Sequence, residues 1–255
     1  MFFDTHAHYD DEQFDSDRDA LLDSMQEAGV GRIVNPGCTV DSSRAAVALA
    51  ARYDFIYAAV GIHPEECAGA AEEAFAAIEA LAAERKVVAI GEIGLDYYWE
   101  ENPPREEQKE VFARQLALAE KLDLPVIVHD REAHGDCLDL VRAFPGVRGV
   151  FHCYSGSVED ARVLLDRGWY LGFDGPITYK NARRAPDVVA YMPIDRLLLE
   201  TDAPYLAPVP LRGKRNDSRN LPYVAARVAA LKGLSPEAVE QAAWDNGCRF
   251  FGLDG

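Results

Sequence analysis

The chain has 255 residues, of which 49% are hydrophobic and 27% are charged, a composition typical of a folded globular protein. Its 43 acidic residues outnumber its 26 basic residues and give a formal net charge of −17 at pH 7. This charge excludes an overall positive field that would hold duplex DNA non-specifically, and it excludes a polybasic membrane anchor. A local basic patch remains compatible with it.

The N-terminal residues and the cysteines indicate the compartment. The chain begins MFFDTHAHYDDEQF, without the basic segment and apolar run of a signal peptide or the long apolar run of a membrane span. The five cysteines are odd in number and form no CxxC pair, so the sequence predicts reduced thiols rather than a disulfide framework. We expect a cytoplasmic protein with no membrane association and no obligate protein partner.

Eight short apolar runs alternate with longer segments of helical periodicity. The runs are mostly continuous in apolar character, as is typical of strands buried on both faces of a parallel sheet. They are residues 2–3, 31–35, 55–60, 87–90, 125–128, 147–151, 170–173 and 197–199. Since no linker interrupts the alternation, the sequence predicts an α/β protein with a single (β/α)8 TIM barrel, in one domain spanning residues 1–255.

Capping residues and prolines predict where several helices begin. The signals are Ser16 with Gly29 as the stop, Pro103 and Pro104 in a first turn, a capping box of Ser157 and Asp160, and Ser235 before the last helix. Residues 61–71, 96–106 and 203–220 are predicted to form long loops at strand ends.

Several predicted strands end in residues that can bind metal. Five of the six histidines lie at these carboxyl ends, and only His134 does not. The carboxyl ends of the strands in a parallel barrel converge on the face where barrel enzymes have their active sites. The candidate ligands are His6, His8, Glu92, His129, His152 and Asp202.

The pair His6 and His8 shows what such a cluster offers. Side chains alternate along a strand, so both imidazoles point to one side and supply half of a divalent-metal site; alone, the pair is a weak signal, because a surface or tag-like pair has the same spacing. Imidazole and carboxylate suit Zn²⁺ or Mn²⁺, and six ligands exceed one tetrahedral centre. We therefore expect two ions bridged by a carboxylate, an arrangement suited to in-line displacement at phosphorus.

At this point the sequence resembles the TatD family of metal-dependent deoxyribonucleases, within the amidohydrolase-like barrels. The matching segments follow the family's order and span nearly the whole chain. They are DTHAHYDDEQF at 4–14, GIHP at 61–64, AIGEIGLDYYW at 89–99, PVIVHDREA at 125–133, FHCYSGS at 151–157, GPITYKNA at 175–182 and LLLETDAPYLAP at 197–208.

The resemblance implies a role for each candidate ligand. One metal would be held by His6, His8 and Asp202, and Glu92 would bridge to a second metal held by His129 and His152. Asp202 and Glu92 would be the catalytic carboxylates, with Asp202 orienting or deprotonating the attacking water. The implied activity is 3′→5′ exonucleolytic hydrolysis of DNA at single-stranded ends, supported by Mg²⁺ or Mn²⁺, with Zn²⁺ often found in the site.

Substrate contacts are predicted on the loops around the barrel mouth. They are assigned to His63, Lys180, Lys214 and Arg215, with Arg183, Arg184, Arg212 and Arg219 nearby. The basic residues stand against the acidic balance of the chain, although a solvated surface would also contain them, and His63 is equally explained as a turn histidine before Pro64. The loop at 212–222 departs from the family pattern, which leaves the substrate contacts more open than the metal ligands.

Further residues have alternative explanations. Tyr97, Tyr98 and Trp99 are placed to stack on bases or to pack a long loop. Asp174 either adds negative charge near the site or caps a turn. Glu200 either orients a ligand histidine or pairs with a basic residue inside the barrel.

Two other functions compete with the nuclease. The first is an amidohydrolase-like hydrolase of a small ester, lactone, carboxamide or phosphotriester. Many such enzymes bridge their metals with a carbamylated lysine at the end of strand 4, where this chain has Glu92, and the nearest lysine, Lys86, precedes the strand. The second is a metal-binding scaffold without catalysis. The sequence does not decide the metal, DNA against RNA, exonuclease against endonuclease, or the oligomeric state.

Overall fold

A computed structural model describes residues 1–254. Eight parallel strands lie in one sheet in sequence order and form a single, nearly closed (β/α)8 barrel with helices between the strands, which confirms the predicted fold. The strands are β1 Phe2–Asp4, β2 Val30–Pro36, β3 Ile56–Val60, β4 Val87–Asp96, β5 Val126–Arg131, β6 Gly149–Phe151, β7 Tyr170–Phe173 and β8 Leu197–Leu199.

Helices follow each strand, and two of them follow β8. They are α1 Arg18–Asp23, α2 Val40–Arg52, α3 Glu72–Ala82, α4 Arg105–Leu122, α5 His134–Ala143, α6 Val158–Asp166, α7 Arg184–Tyr191, α8 Leu221–Lys232 and α9 Pro236–Phe251. Within residues 1–254, none of the helices has both the length and the apolar character needed to cross a membrane.

The predicted helix starts are confirmed in part. Ser157 and Asp160 form a reciprocal capping box at α6, and the Ser235 side chain caps α9. Ser16 is not a cap, because Asp17 supplies the carbonyl that accepts the first backbone hydrogen bond of α1, and α1 ends at Asp23, well before Gly29. Similarly, Pro103 and Pro104 precede α4, with Pro104 in extended conformation at the capping position.

Contacts group the chain into two compact units, residues 1–35 together with 153–255, and residues 36–152. In the first unit, Phe3 of β1 packs on α9, with ring centroids 5.7 Å from Phe251 and 6.0 Å from Trp244. In the second unit, every residue of β4 is buried, as a strand covered on both faces requires. A single domain over residues 1–255 stays a prediction.

Strands β4 and β5 extend further than predicted. Pairing continues through Gly94 with His129 to Asp96 with Arg131, so Glu92 and His129 lie inside strands rather than after them. Gly94 has a φ of +148°, and a Cβ at this position would collide with the carbonyl oxygen of His129. Gly94 therefore permits the backbones of β4 and β5 to approach closely.

Candidate metal centre

The first unit brings together three of the predicted ligands. Its strands β1 and β8 are joined by backbone hydrogen bonds, including one of 2.9 Å from the Asp202 amide to the carbonyl of His6. As a result the Asp202 carboxylate lies 3.7 Å from Nε2 of His6 and 3.4 Å from Nε2 of His8. The two Nε2 atoms are 3.1 Å apart, as expected for imidazoles on one side of a strand.

Asp4, which was not predicted as a site residue, connects the segments that contain His6 and Asp202. Its buried carboxylate accepts hydrogen bonds from the Thr201 hydroxyl at 2.6 Å, the Thr201 amide at 3.0 Å and the His6 amide at 3.3 Å. Burial raises the pKa of Asp4 to about 7, although these bonds oppose the shift. The residues that precede His6 and Asp202 are therefore tied together.

The second unit surrounds the Glu92 carboxylate with histidines. Oε1 of Glu92 lies 2.7 Å from Nε2 of His152, 2.8 Å from Nδ1 of His129 and 3.5 Å from Nε2 of His63. The carboxylate is 4% exposed. A buried carboxylate facing three imidazoles is costly unless positive charge compensates it, and a divalent cation supplies such charge.

Asp96, at the end of β4, holds the other side of the His129 ring. Its Oδ2 lies 3.0 Å from Nε2 of His129. Burial lowers the pKa of His129, but the hydrogen bonds with Asp96 and Glu92 outweigh burial and raise it to about 9. Burial raises the pKa of Asp96 in turn, yet its bond with His129 brings the net pKa below the usual value.

His63 joins the second group instead of lying apart from it. It is buried, and its Nδ1 accepts a hydrogen bond of 3.2 Å from the Glu65 amide, so His63 caps the short 3-10 helix Pro64–Glu66. Burial, followed by the charge of His129, lowers the pKa of His63, which favours the neutral imidazole that a metal requires. His63 is therefore both the residue before Pro64 at a turn and a member of the group around Glu92.

The donor sets fit divalent cations. His63, Glu92 and His129 offer nitrogen and oxygen atoms that all lie within 4.8 Å of one another, compatible with metal–ligand bonds of roughly 2.0–2.2 Å. The group of His6, His8 and Asp202 has separations of 3.1 to 3.7 Å between donor atoms. Each unit therefore has a mixed imidazole and carboxylate set, which suits Zn²⁺ and Mn²⁺.

The three basic residues predicted to contact substrate have different surroundings. Lys180 and Lys214 are exposed in the loops after β7 and β8. Arg215 forms a bidentate ion pair with Asp17, at 2.8 and 2.6 Å. Arg215 therefore has a structural partner, whereas the side chains of Lys180 and Lys214 form no ion pair within the ranges described.

Several buried polar residues support the site. Glu200 accepts hydrogen bonds from the Cys153 amide at 2.5 Å and the Thr5 hydroxyl at 3.4 Å, and so links the segments after β1, β6 and β8. Neither of these two partners is a ligand histidine or a basic residue, the two alternatives that the sequence offered. Asp4 and Asp96 were missed because acidic residues are abundant. Their positions at the ends of β1 and β4 were the one available signal.

Comparison with known proteins identifies a family. A family model described as TatD related DNase matches residues 3–252. An uncharacterized metal-dependent hydrolase of Bacillus subtilis, YabD, is 43% identical over 256 residues, covering 100% of both chains. A protein of Cronobacter sakazakii named 3′-5′ ssDNA/RNA exonuclease TatD is 38% identical over 260 residues, covering 98% of this chain and 97% of that one.

A solved structure shows the same fold. The crystal structure of YjjV, a TatD homologue from Escherichia coli K12, superposes with a TM-score of 0.93 at 33% identity. The match covers 99% of this chain and 98% of that chain.

Proposed function

We propose that this chain, which belongs to the family of TatD-related DNases, removes nucleotides from the 3′ ends of single-stranded DNA with two divalent ions. Members of this family are metal-dependent hydrolases. The observation that carries the proposal is the pair of mixed imidazole and carboxylate donor sets, one around Asp202 and one around Glu92. His6, His8, His152 and Asp202 follow the carboxyl ends of strands in a parallel barrel, the usual location of catalytic residues in this fold, while Glu92 and His129 lie within β4 and β5.

The proposed ligand assignment follows the sequence resemblance. His6, His8 and Asp202 would hold one ion, and His129 and His152 would hold the second, with Glu92 as the bridge. Such ions, when bound, polarise a phosphate oxygen and provide a hydroxide nucleophile near neutral pH. The cellular metal, Mg²⁺, Mn²⁺ or Zn²⁺, is left to metal analysis of the purified protein.

The two carboxylates are suited to different tasks. The Asp202 side chain is 15% exposed, compared with 4% for Glu92, so water and substrate reach Asp202 more readily. We assign Asp202 to orienting the attacking water and accepting its proton, and Glu92 to binding metal. Asp96 keeps the His129 ring in a fixed orientation, the role that carboxylates commonly play behind ligand histidines.

Two observations support a nucleic acid as the substrate: the name of a relative and the local positive charge. The Cronobacter relative is named an exonuclease of single-stranded DNA and RNA. Lys180 and Lys214 supply exposed positive charge in an otherwise acidic chain, and such charge attracts phosphates. His63 is placed against Glu92, so we assign it to the metal group ahead of the substrate phosphate. The cytoplasmic location expected from the cysteines stays a prediction.

The decisive experiment follows a 5′-labelled single-stranded oligonucleotide after addition of Mg²⁺ or Mn²⁺. Stepwise shortening from the 3′ end is expected. Asp202→Asn should reduce the cleavage rate by at least about 100-fold while oligonucleotide affinity changes less than about threefold, a loss in the range of general-base removal. Glu92→Gln should lower both the metal content and the rate.

A parallel panel of esters, lactones and phosphotriesters tests the competing hydrolase. Turnover of a lactone without cleavage of the oligonucleotide would replace the nuclease by the small-substrate enzyme. Metal binding without turnover on either panel would favour the scaffold. Wild-type cleavage rates in Asp202→Asn would remove Asp202 from the reaction.

A further inference from the structure

A cavity of about 320 Å³ opens in the first unit beside the loop that follows β7. Its walls combine apolar, aromatic and basic side chains with one carboxylate, that of Asp174. They include Tyr154, Phe173, Ile177, Tyr179, Arg183 and Arg184. Its volume lies at the small end of the range of roughly 300–1,000 Å³ for ligand sites, which suits one nucleoside and leaves no room for a stacked pair.

The aromatic wall is held in place by its own hydrogen bonds. The Tyr154 hydroxyl donates to the Ser157 carbonyl at 2.9 Å, and the Tyr179 hydroxyl donates to the Ala207 carbonyl at 3.0 Å. The guanidinium of Arg212 lies 4.3 Å from the Tyr179 ring centroid. Rings fixed in this way lose little entropy when a flat ligand stacks on them.

The turn Gly175–Thr178, which contributes Pro176 and Ile177 to the cavity lining, is anchored to the segment after β8. The Thr178 hydroxyl accepts a hydrogen bond of 2.9 Å from the Val209 amide. Gly175 packs so closely that a Cβ there would collide with the Leu206 carbonyl oxygen. Because Leu206 follows Asp202 by four residues, the turn Gly175–Thr178 is packed against the segment that follows Asp202.

The cavity lining is also tied to the segment that leads to Asp202. Cys153 lines the cavity, and its backbone amide donates a hydrogen bond of 2.5 Å to Glu200, two residues before Asp202. Arg183 and Arg184 also line the cavity and are exposed, so they provide two positive charges for a phosphate. The cavity therefore combines aromatic walls with basic side chains, and its lining is bonded to the segment that leads to a carboxylate of the metal group.

We propose that this cavity binds a single nucleoside of the substrate, with the base against the partly exposed Tyr179 ring, in a lining that also includes the buried Tyr154 and Phe173, and an adjoining phosphate at Arg183 and Arg184. The inference rests on the proposed function in taking a nucleic-acid end as the substrate. It goes further by assigning the group that is recognised. Stacking on aromatic rings tolerates every base, so the pocket selects an unpaired nucleoside rather than a sequence.

The test compares two small probes on the Mn²⁺-loaded wild-type protein by titration calorimetry: thymidine 5′-monophosphate and inorganic phosphate. Both have a phosphate that metal or arginine attracts, but only the first has a base. We expect the nucleotide to bind about tenfold more tightly than inorganic phosphate, a preference of the size that one stacked base provides.

Ala185→Trp should fill the cavity, which Ala185 lines, and reduce this preference to about one. Ala190→Trp is the matched control, because Ala190 lies exposed on the same helix α7 outside the cavity lining, and it should keep the preference. Tyr179→Ala removes a wall without adding bulk and should also lower the preference, which keeps the test valid if Ala185→Trp fails to fold.

Equal binding of the two probes by the wild-type protein would overturn the pocket. So would an unchanged preference in a folded Ala185→Trp or Tyr179→Ala variant. Because neither probe needs to be cleaved, these results are independent of turnover. A retained nucleotide preference without oligonucleotide cleavage would overturn the proposed exonuclease and leave the nucleoside pocket standing.

Discussion

Two neighbouring basic residues, Lys214 and Arg215, differ sharply in what surrounds them. Arg215 donates to both carboxylate oxygens of Asp17 and, at 2.7 Å, to the Gln13 carbonyl, and its guanidinium lies 4.8 Å from the Phe14 ring centroid. Lys214 is exposed, and its side chain has no hydrogen bond or ion pair within residues 1–254. A charge already paired within the protein gains less from a phosphate than an unpaired one.

We therefore expect Lys214→Ala to weaken binding of a single-stranded oligonucleotide and to reduce the salt slope by about 0.7, the value for one phosphate contact on single strands. Arg215→Ala should change the slope much less and should instead lower the thermal midpoint, because it leaves Asp17 unpaired. Fluorescence anisotropy across a KCl series measures the slopes. A larger slope change in Arg215→Ala than in Lys214→Ala would contradict this assignment.

Sequence reasoning at the residue scale singled out the histidines together with Glu92 and Asp202, but it missed Asp4 and Asp96. Histidines are few, so their position close to the apolar runs was informative for His129 and His152. Asp96 was missed because one acid among 43 acidic residues has no distinguishing feature. The pairing of Arg215 with Asp17, 198 residues away along the chain, depends on tertiary structure that no local pattern encodes.

At the scale of elements, buried strands were easier to place than their ends. The limits of β7 and β8 are as predicted, because both are short apolar runs bounded by polar residues or turns. The limit of β4 was wrong by six residues, because Gly91, Glu92 and Gly94 interrupt the apolar run and glycine is common where a strand ends. Glycine in a strand also marks close backbone approach, and only the position of β5 distinguishes the two meanings.

The close approach of β4 and β5 makes Gly94 a test of how the strands position the second metal group. Gly94→Ala should push the backbone of His129 away from Glu92, lower the metal content, and destabilise the protein by about 1–3 kcal/mol, as overpacked sites do. Thermal melts followed by circular dichroism, together with metal analysis, provide the measurement.

Gly135→Ala is the matched control. Gly135 lies in α5, and a Cβ there would have no atom within 4 Å, so this change should raise stability by about 0.4–1 kcal/mol. If both alanine variants had wild-type stability and metal content, the close approach at Gly94 would not constrain His129.

At the scale of the whole molecule, the net charge of −17 shapes how a nucleic acid can bind. Such a charge repels phosphates at long range, and this repulsion is screened within about 8 Å at physiological ionic strength. Binding must then come from local contacts with cations and basic loops rather than from the overall field. Divalent ions would offset part of the acidic charge where the substrate binds, so they would serve both binding and catalysis.

Metal binding should also be visible in the stability of the folded chain. A ligand that binds only the folded state at about 100 times its dissociation constant adds about 2.7 kcal/mol. For a protein of this size, about 1 kcal/mol corresponds to roughly 2–4 °C in the melting temperature. We therefore expect Mn²⁺ added to chelator-treated protein to raise the Tm by about 5–10 °C, as measured by scanning calorimetry.

The same measurement separates ligand residues from substrate residues across the molecule. Glu92→Gln should lose most of the Mn²⁺-dependent rise in Tm, since it neutralises the carboxylate that faces three imidazoles. Lys214→Ala should keep the full rise, because its exposed side chain lies in the loop after β8 and belongs to neither donor set. An equal rise in Glu92→Gln and the wild-type protein would show that the stabilising ion binds elsewhere, and the assignment of Glu92 as a metal ligand would then fall.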